Sequence, residues 1–290
     1  MNPIHIELTK KPNMLPVYVA GWLRKRSSLK EGEQVPAMTA RWQGYRIDRR
    51  HLHKFLALTG LSGDVEIPFM YPLVLVFPIH MCMLAHPAFP FPYFRMLQVR
   101  SHLQQYRLVH TDEVLDMYCS VVNQHVVARG IELDFKTVFS NHGHPVWELV
   151  NTYFMPGKFG APGPASHLAH FEPLPEDPSV IHWRFSPSIG LSLGHLAGDY
   201  NGLHYSSAYA HKLGYQRDFA HSQLTLAQCI QRLPILPENR QIQLSMALKG
   251  PVYYDHEVLM KYSIDQDHWR FDLFCSDNPR PSFAANISVT

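Results

Sequence analysis

The sequence predicts an α+β fold built from two similar halves, and three observations carry that prediction. Strand-like runs with apolar–polar alternation occur four in succession in each part of the chain, as in IQLSMAL and HWRFDLFC. Each set follows an apolar helical stretch. Between the two sets lies a segment, 156–178, with six prolines and three glycines, a composition that continues neither a helix nor a central strand. The 290 residues therefore divide into an N-terminal part, 1–155, a linker, 156–178, and a C-terminal part, 179–290.

In the first part, RIDRRHLHKFLALTG (46–60) has helical spacing, and 73–85 reads as one long buried helix with Pro78 near or inside it. Strand-like runs follow at 94–108, 113–124, 130–140 and 145–154. In the second part, HWRFSPS (182–188) is strand-like, SIGLSLGHLAG (188–198) is a short helix, and FAHSQLTLAQCIQRL (219–233) is an apolar-striped helix. Strand-like runs follow at 241–249, 256–265, 269–275 and 282–289. One helix wrapped by an antiparallel sheet buries the apolar face of both, so each half reads as a helix followed by four strands.

Composition narrows the function. Hydrophobic residues make up 46%, enough for a sizeable core, and the net charge of +2 is too small for a nucleic-acid binder. Residues 24–54 hold nine Lys or Arg against three acids, a basic stretch that reads as a solvated face or a phosphate contact. Cys82, Cys119, Cys229 and Cys275 are scattered, with no C-x-x-C pair, and read as reduced, buried thiols; with no apolar leader at MNPIHIELTKK, the expectation is a cytoplasmic protein. The uncharged run 67–94 has the length of a membrane span, but its six prolines do not fit one helix.

The chemistry concentrates in HLAGDYNGLHYSSAYAHKLGYQRDFAHSQ (195–223). Asp199, Asn201 and His204 fall within six residues, flanked by Gly198 and Gly202. A carboxylate and an imidazole five residues apart across a glycine-containing turn can converge, hold a water and move its protons near neutral pH. The same residue types also build Asx-turns that merely cap local backbone groups.

The order G-D-Y-N-G-L-H at 198–204, then G-Y at 214–215 and A-H-S at 220–222, resembles the (R)-specific enoyl-CoA hydratases, the MaoC-like acyl dehydratases, whose signature reads G-D-x-N-P-h-H, G-F and A-H-G. LKGPVYYDHEV (248–258) is similar to the strand and turn that follow in that family. The N-terminal half resembles the degenerate first repeat, with a helix but no motif. The resemblance implies a double hot-dog fold, each half a long central helix wrapped by an antiparallel sheet, with a substrate-accommodating first half and a catalytic second half. Gly202 stands where the family has proline, and Ser222 where it has glycine.

It further implies that Asp199 and His204, with Asn201 beside them, hold the water that adds to C3 of a trans-2-enoyl thioester, giving a (3R)-hydroxyacyl thioester of fatty-acid type. The thioester oxygen would be held by backbone N–H groups opening the 220–233 helix, with Ser222, His221, Gly198 and Gly202 shaping that site. Candidates for the CoA phosphates are Arg217, Arg24, Lys25 and Arg26, and for the acyl wall Leu73, Val74, Val76, Phe77, Met81 and Met83. The resemblance implies a CoA or acyl-carrier thioester as substrate, CoA preferred, and a homodimer. No nucleotide loop occurs, and neither HLH (51–53) nor HGH (142–144) has the company of a metal site, so neither cofactor nor metal is expected. A hot-dog thioesterase or a non-catalytic acyl-thioester-binding module are the alternatives.

Overall fold

The computed structural model describes residues 3–23, 29–61, 67–234, 241–276 and 278–290. Arg24, Lys25 and Arg26 lie outside these described residues. The fold is α+β: among the described residues eleven strands form one sheet, with helices packed against it.

The N-terminal half supplies β1 (Ile4–Leu8), α1 (Met14–Leu23), β2 (Met38–Arg46), α2 (Arg49–Thr59), α3 (Pro72–Leu75), α4 (Phe77–Leu84), β3 (Leu97–Gln105), β4 (Val114–Val127), β5 (Gly130–Asn141) and β6 (His144–Pro156). The C-terminal half supplies β7 (Ser179–Arg184), α5 (Gly190–Ala197), α6 (Ser207–Lys212), α7 (Ser222–Ile230), β8 (Ile242–Leu248), β9 (Glu257–Asp265), β10 (His268–Cys275) and β11 (Phe283–Val289). Strand order across the sheet is β1-β2-β4-β5-β6-β3-β8-β11-β10-β9-β7. Read outward from the β3–β8 contact, β3-β6-β5-β4-β2 mirrors β8-β11-β10-β9-β7, so the two halves repeat one topology about a seam. At that seam β3 pairs antiparallel with β8, from Arg100 opposite Ala247 to Gln105 opposite Ile242.

Three elements depart from the sequence reading. The single helix expected at 73–85 is two, parted at Val76. Pro72 opens α3 and Pro78 sits in the first turn of α4, and a proline lacks the N–H that a continuous helix would need there. The first half contributes five mirrored strands rather than four, because β2 joins β4 as the counterpart of β7, whose end falls within the strand-like 182–188. Outside the repeat, β1 pairs in parallel with β2, and the crossover between them carries α1. No helix among the described residues is long and apolar enough to cross a membrane.

The proline-rich segment lies along the outer face of the sheet. Arg270 Nε donates to the Glu172 carbonyl at 2.8 Å, and the Lys249 ammonium lies 5.7 Å over the Phe171 ring. Farther back, His167 and Leu168 line a groove with His102 of β3 and Ser245 of β8, so the linker runs over the seam.

The opposite face carries the core. α4 presents His80, fully buried, to Tyr153 Oη at 2.9 Å and Thr137 Oγ1 at 3.0 Å. Burial holds this imidazole neutral, its pKa pushed down to about 3. An unfolded histidine titrates near 6.5, so between these values the unfolded chain binds a proton that the native state refuses. Stability should therefore fall as pH drops below about 6.5, by up to about 1.4 kcal/mol per pH unit from this residue. Urea unfolding at pH 7, 6 and 5 measures that slope, which His80→Gln should flatten; equal slopes for both proteins would contradict the assignment.

Candidate active site

The segment 198–222 is shaped by backbone geometry before any chemistry enters. α5 ends at Gly198, whose φ of 78° lies in the left-handed region that glycine adopts without strain. The N–H groups of Gly198 and Asp199 both return to the Gly194 carbonyl, turning the chain sharply so that Asp199 faces inward. Asp199 Oδ1 then accepts the Asn201 N–H at 3.0 Å, and Asn201 Oδ1 accepts the Leu203 N–H at 3.1 Å. Both are Asx-type turns, and they start a 3-10 turn over Gly202–His204. Each cap engages one side-chain oxygen, leaving Asp199 Oδ2 and the Asn201 amide nitrogen free of it.

Two glycines make this loop fit. A Cβ on Gly190 would lie 1.6 Å from the His204 carbonyl oxygen, and one on Gly194 would lie 2.4 Å from that of Asp199. α5 therefore packs directly on the loop's backbone. Gly202, where the resemblance leads one to expect proline, has Tyr209 beside it; a Cβ there would lie 2.8 Å from the tyrosine ring. The smaller residue makes room for that ring.

His204 Nδ1 lies 2.9 Å from the Phe219 carbonyl, which can only accept, so Nδ1 carries the proton and Nε2 is directed at the pocket. Phe219 is held in turn by its own N–H on the Leu203 carbonyl and by an isolated bridge to Tyr253. Ala220 N–H donates to the Val252 carbonyl, within the LKGPVYYDHEV segment, and this short extended stretch delivers His221 and the start of α7.

Here folding adds a group that spacing alone did not place. The His221 ring stacks on that of His204, with centroids 3.8 Å apart. Its Nε2 is 3.7 Å from Asp199 Oδ2, while His204 Nε2 is 3.8 Å from the same oxygen. His221 is 3% exposed, and neither ring nitrogen has a hydrogen-bond partner. Burial, with His204 alongside, holds its pKa well below the usual histidine value, so the ring is neutral. Burial raises the Asp199 carboxyl above its ordinary range, opposed by His204, the Asn201 N–H and the Tyr18 hydroxyl. Asp199, His204 and His221 also form the kind of donor set that can hold a metal, with ligand atoms within 4.8 Å of one another. The histidine pairs weighed from the sequence, at 51–53 and 142–144, take no part in it.

These side chains open on a pocket of about 150 Å³. Among the described residues that line it, Asp199 is the one acid and there is no Lys or Arg. Asn201 of the loop lies on its wall, as do Ser222 and Gln223, which open α7, where no side chain caps the helix. The first N–H groups of a helix have no partner within it, so those of Ser222 and Gln223 are available to an oxygen in the pocket. Of the acyl-wall candidates, Phe77 and Met81 line the pocket, joined by Leu84, Met96 and Leu97; Leu73, Val74, Val76 and Met83 are instead buried in the surrounding core.

Arg217 lies outside the lining, and its guanidinium is 3.3 Å from Asp218 and 3.9 Å from Asp255. Tyr18, Tyr93 and Tyr153 reach the pocket from α1, from the turn before β3 and from β6. Nothing in their sequence context marks them, because they come from the other half of the chain.

No protein-family profile matches the chain. A curated relative, 3-hydroxyacyl-thioester dehydratase X of Mycobacterium tuberculosis, is 25% identical over 196 residues, spanning 67% of this chain and 69% of that protein. Its crystal structure superposes with a TM-score of 0.71 at 20% identity, covering 87% of this chain and all of the other. A MaoC-like dehydratase of Phytophthora capsici superposes with a TM-score of 0.72 at 16% identity, covering 89% and 96% of the two chains. A conserved M. tuberculosis protein described as having a double hot-dog fold gives 0.54 at 13% identity, covering 93% and 97%. The architecture is thus a double hot-dog, and these findings support the MaoC-like resemblance carried by residues 198–222.

The close contact of Gly190 with the loop has a measurable consequence. Gly190→Ala must push the His204 carbonyl away, and overpacking of this kind costs about 1–3 kcal/mol. Chemical denaturation should show that loss, whereas a variant as stable as the parent would mean that α5 does not seat on the loop.

Proposed function

We propose that this chain, a double hot-dog protein of the MaoC-like kind, is a hydro-lyase that hydrates trans-2-enoyl thioesters to (3R)-hydroxyacyl thioesters and catalyses the reverse dehydration, with CoA esters as substrates. The observation that carries the reading is the meeting of Asp199 Oδ2 and His204 Nε2 beside the uncapped start of α7, in a pocket that, among the described residues, is lined by no other acid and no Lys or Arg.

The two atoms are 3.8 Å apart, beyond direct hydrogen-bond range, and an oxygen about 2.8 Å from each spans that gap. A water there donates one hydrogen to the carboxylate and the other to the imidazole lone pair. In hydration its oxygen attacks C3, and the pair takes up its proton. The alkene electrons move onto the thioester oxygen, which the backbone N–H groups of Ser222 and Gln223 stabilise by donating hydrogen bonds to it. The enolate collapses, C2 receives a proton from the same pair, and the site returns to its starting protonation. Because one pair serves both carbons, the addition is syn, and the face of the bound alkene turned toward the pair sets the configuration at C3.

The C-terminal half, 179–290, supplies the acid–base pair and the oxyanion donors. The N-terminal half, 1–155, accommodates the acyl chain through Phe77, Met81, Leu84 and Met96. Asn201 holds the loop in register and turns its amide toward the substrate. No step needs a metal.

Incubating the protein with a short trans-2-enoyl-CoA tests the reading: enoyl absorbance should disappear without release of free thiol, and EDTA should leave the rate unchanged. Thiol release would replace hydratase by thioesterase, and binding without turnover would leave a binding module. Asp199→Asn should lower turnover by at least ~100-fold. Because burial penalises the charged carboxylate in the native state at neutral pH, that variant should unfold at the same or higher temperature than the parent. Activity retained by Asp199→Asn would refute the mechanism.

A further inference from the structure

We infer that Tyr18, delivered by α1 from the N-terminal half, is a positioning residue that fixes which oxygen of Asp199 acts on water. This inference rests on the hydratase reading and names a part of its machinery that lies 181 residues away in the sequence.

The polarity of the contacts is decided by donor counting. A phenol has one hydrogen to give. The Tyr18 oxygen accepts the Tyr200 backbone N–H at 2.9 Å and lies 3.3 Å from Asp199 Oδ1. Its single hydrogen is therefore directed to the carboxylate. Asp199 Oδ1 also receives the Asn201 N–H at 3.0 Å. With two donors on Oδ1, the carboxylate cannot rotate without breaking both bonds. Oδ2 is left facing the His204 and His221 imidazole nitrogens, at 3.8 and 3.7 Å. One oxygen is an anchor and the other is the reacting atom.

The tyrosine is itself held. Its ring meets Tyr93 edge-on at 5.3 Å and Tyr200 at 5.7 Å, and the Tyr93 hydroxyl reaches the Tyr18 carbonyl at 3.4 Å. α1 is seated by the parallel β1–β2 crossover, an addition outside the repeated topology of the two halves. That addition gives the catalytic loop a support from the half of the chain that lacks the motif.

Tyr18→Phe keeps the ring contacts and removes only the hydroxyl. Oδ2 would lose its fixed direction, and the carboxylate would lose a donor that favours its charged form. The titratable groups around Asp199 are His204, His221 and the phenols of Tyr18, Tyr93, Tyr153 and Tyr205, so a change in the acid limb of the rate profile can be traced among a small set.

The test is steady-state kinetics on an enoyl-CoA over a range of pH for the parent, Tyr18→Phe and Tyr200→Phe. Tyr200→Phe keeps the backbone N–H that Tyr18 accepts and controls for local packing. The expected result for Tyr18→Phe is a fall in kcat of about 10-fold, KM within twofold, and an acid limb moved to higher pH; Tyr200→Phe should keep the parent's profile. Unchanged kcat and pH profile in Tyr18→Phe would overturn the inference, as would a rise in KM with kcat intact, which would make Tyr18 a substrate contact. If the parent does not turn over enoyl thioesters, the hydratase reading fails separately, and the positioning role is read in the resting protein. The carboxyl carbon signal of Asp199, assigned by its loss in Asp199→Asn, should then titrate at higher pH in Tyr18→Phe. The same midpoint in both proteins would overturn the inference independently of activity.

Discussion

Everything around the candidate site depends on the pairing of β3 with β8. Those backbone hydrogen bonds turn two half-sheets into one and remove two strand edges that would otherwise stand open. They also set the two helical layers against each other. Gln223 Nε2 of α7 donates to the Leu73 carbonyl of α3 at 3.3 Å, and Gln231 Nε2 donates to the Thr59 carbonyl at the end of α2 at 2.6 Å. With the halves locked in this way, α4 becomes a wall of a pocket whose chemistry belongs to the other half, and α1 can reach Asp199. The proline-rich linker, laid over the outer face of the seam, restrains the same junction from the other side.

The pocket places one carboxylate among apolar and aromatic side chains, an arrangement that is unfavourable unless donors are supplied. Backbone N–H, phenol and imidazole groups all contribute, and burial still prevails, because the Asp199 carboxyl ends above its ordinary range. A carboxylate poised in this way accepts a proton more readily near neutrality than an exposed one. His204 takes its tautomer from a carbonyl, and His221, stacked against it, stays neutral by burial. The arrangement turns Asp199 Oδ2 and His204 Nε2 toward each other, with no Lys or Arg among the described residues that line the pocket.

The abundance of histidine resolves into several physical roles rather than one. His80 is a core residue satisfied by two hydroxyls, and His51 bridges Tyr71 Oη to the Leu196 carbonyl, tying α2 to α5. His102 bonds Ser245 Oγ across the seam. Burial lowers the pKa of all three, so each remains a neutral linker between elements. Only His204 and His221 converge on a carboxylate in the pocket.

Much of this was legible in the sequence because it is local. Strand alternation marked β3 to β6 and β8 to β11, apolar spacing marked α2 and α7, and the G-D-x-N-x-x-H order marked the Asp199–His204 loop, since turn chemistry and side-chain period act over a few residues. Other features were not legible. Val76 separates α3 from α4 because of where two prolines fall in the packed helical layer. β1 joins the sheet only through β2, and the IHIEL run is too short to show that partner by itself. Tyr18 and Met96 carry no motif, and the stacking of His221 on His204 depends on how 219–222 is held by Tyr253 and Val252. The sequence by itself determined the repeated halves and the loop that carries Asp199 and His204, because these follow from hydrogen bonds and periodicity within short segments. The tertiary structure alone decided which oxygen of Asp199 is free, which residues wall the pocket and which half steadies the other, because those facts arise from contacts between segments far apart in the chain.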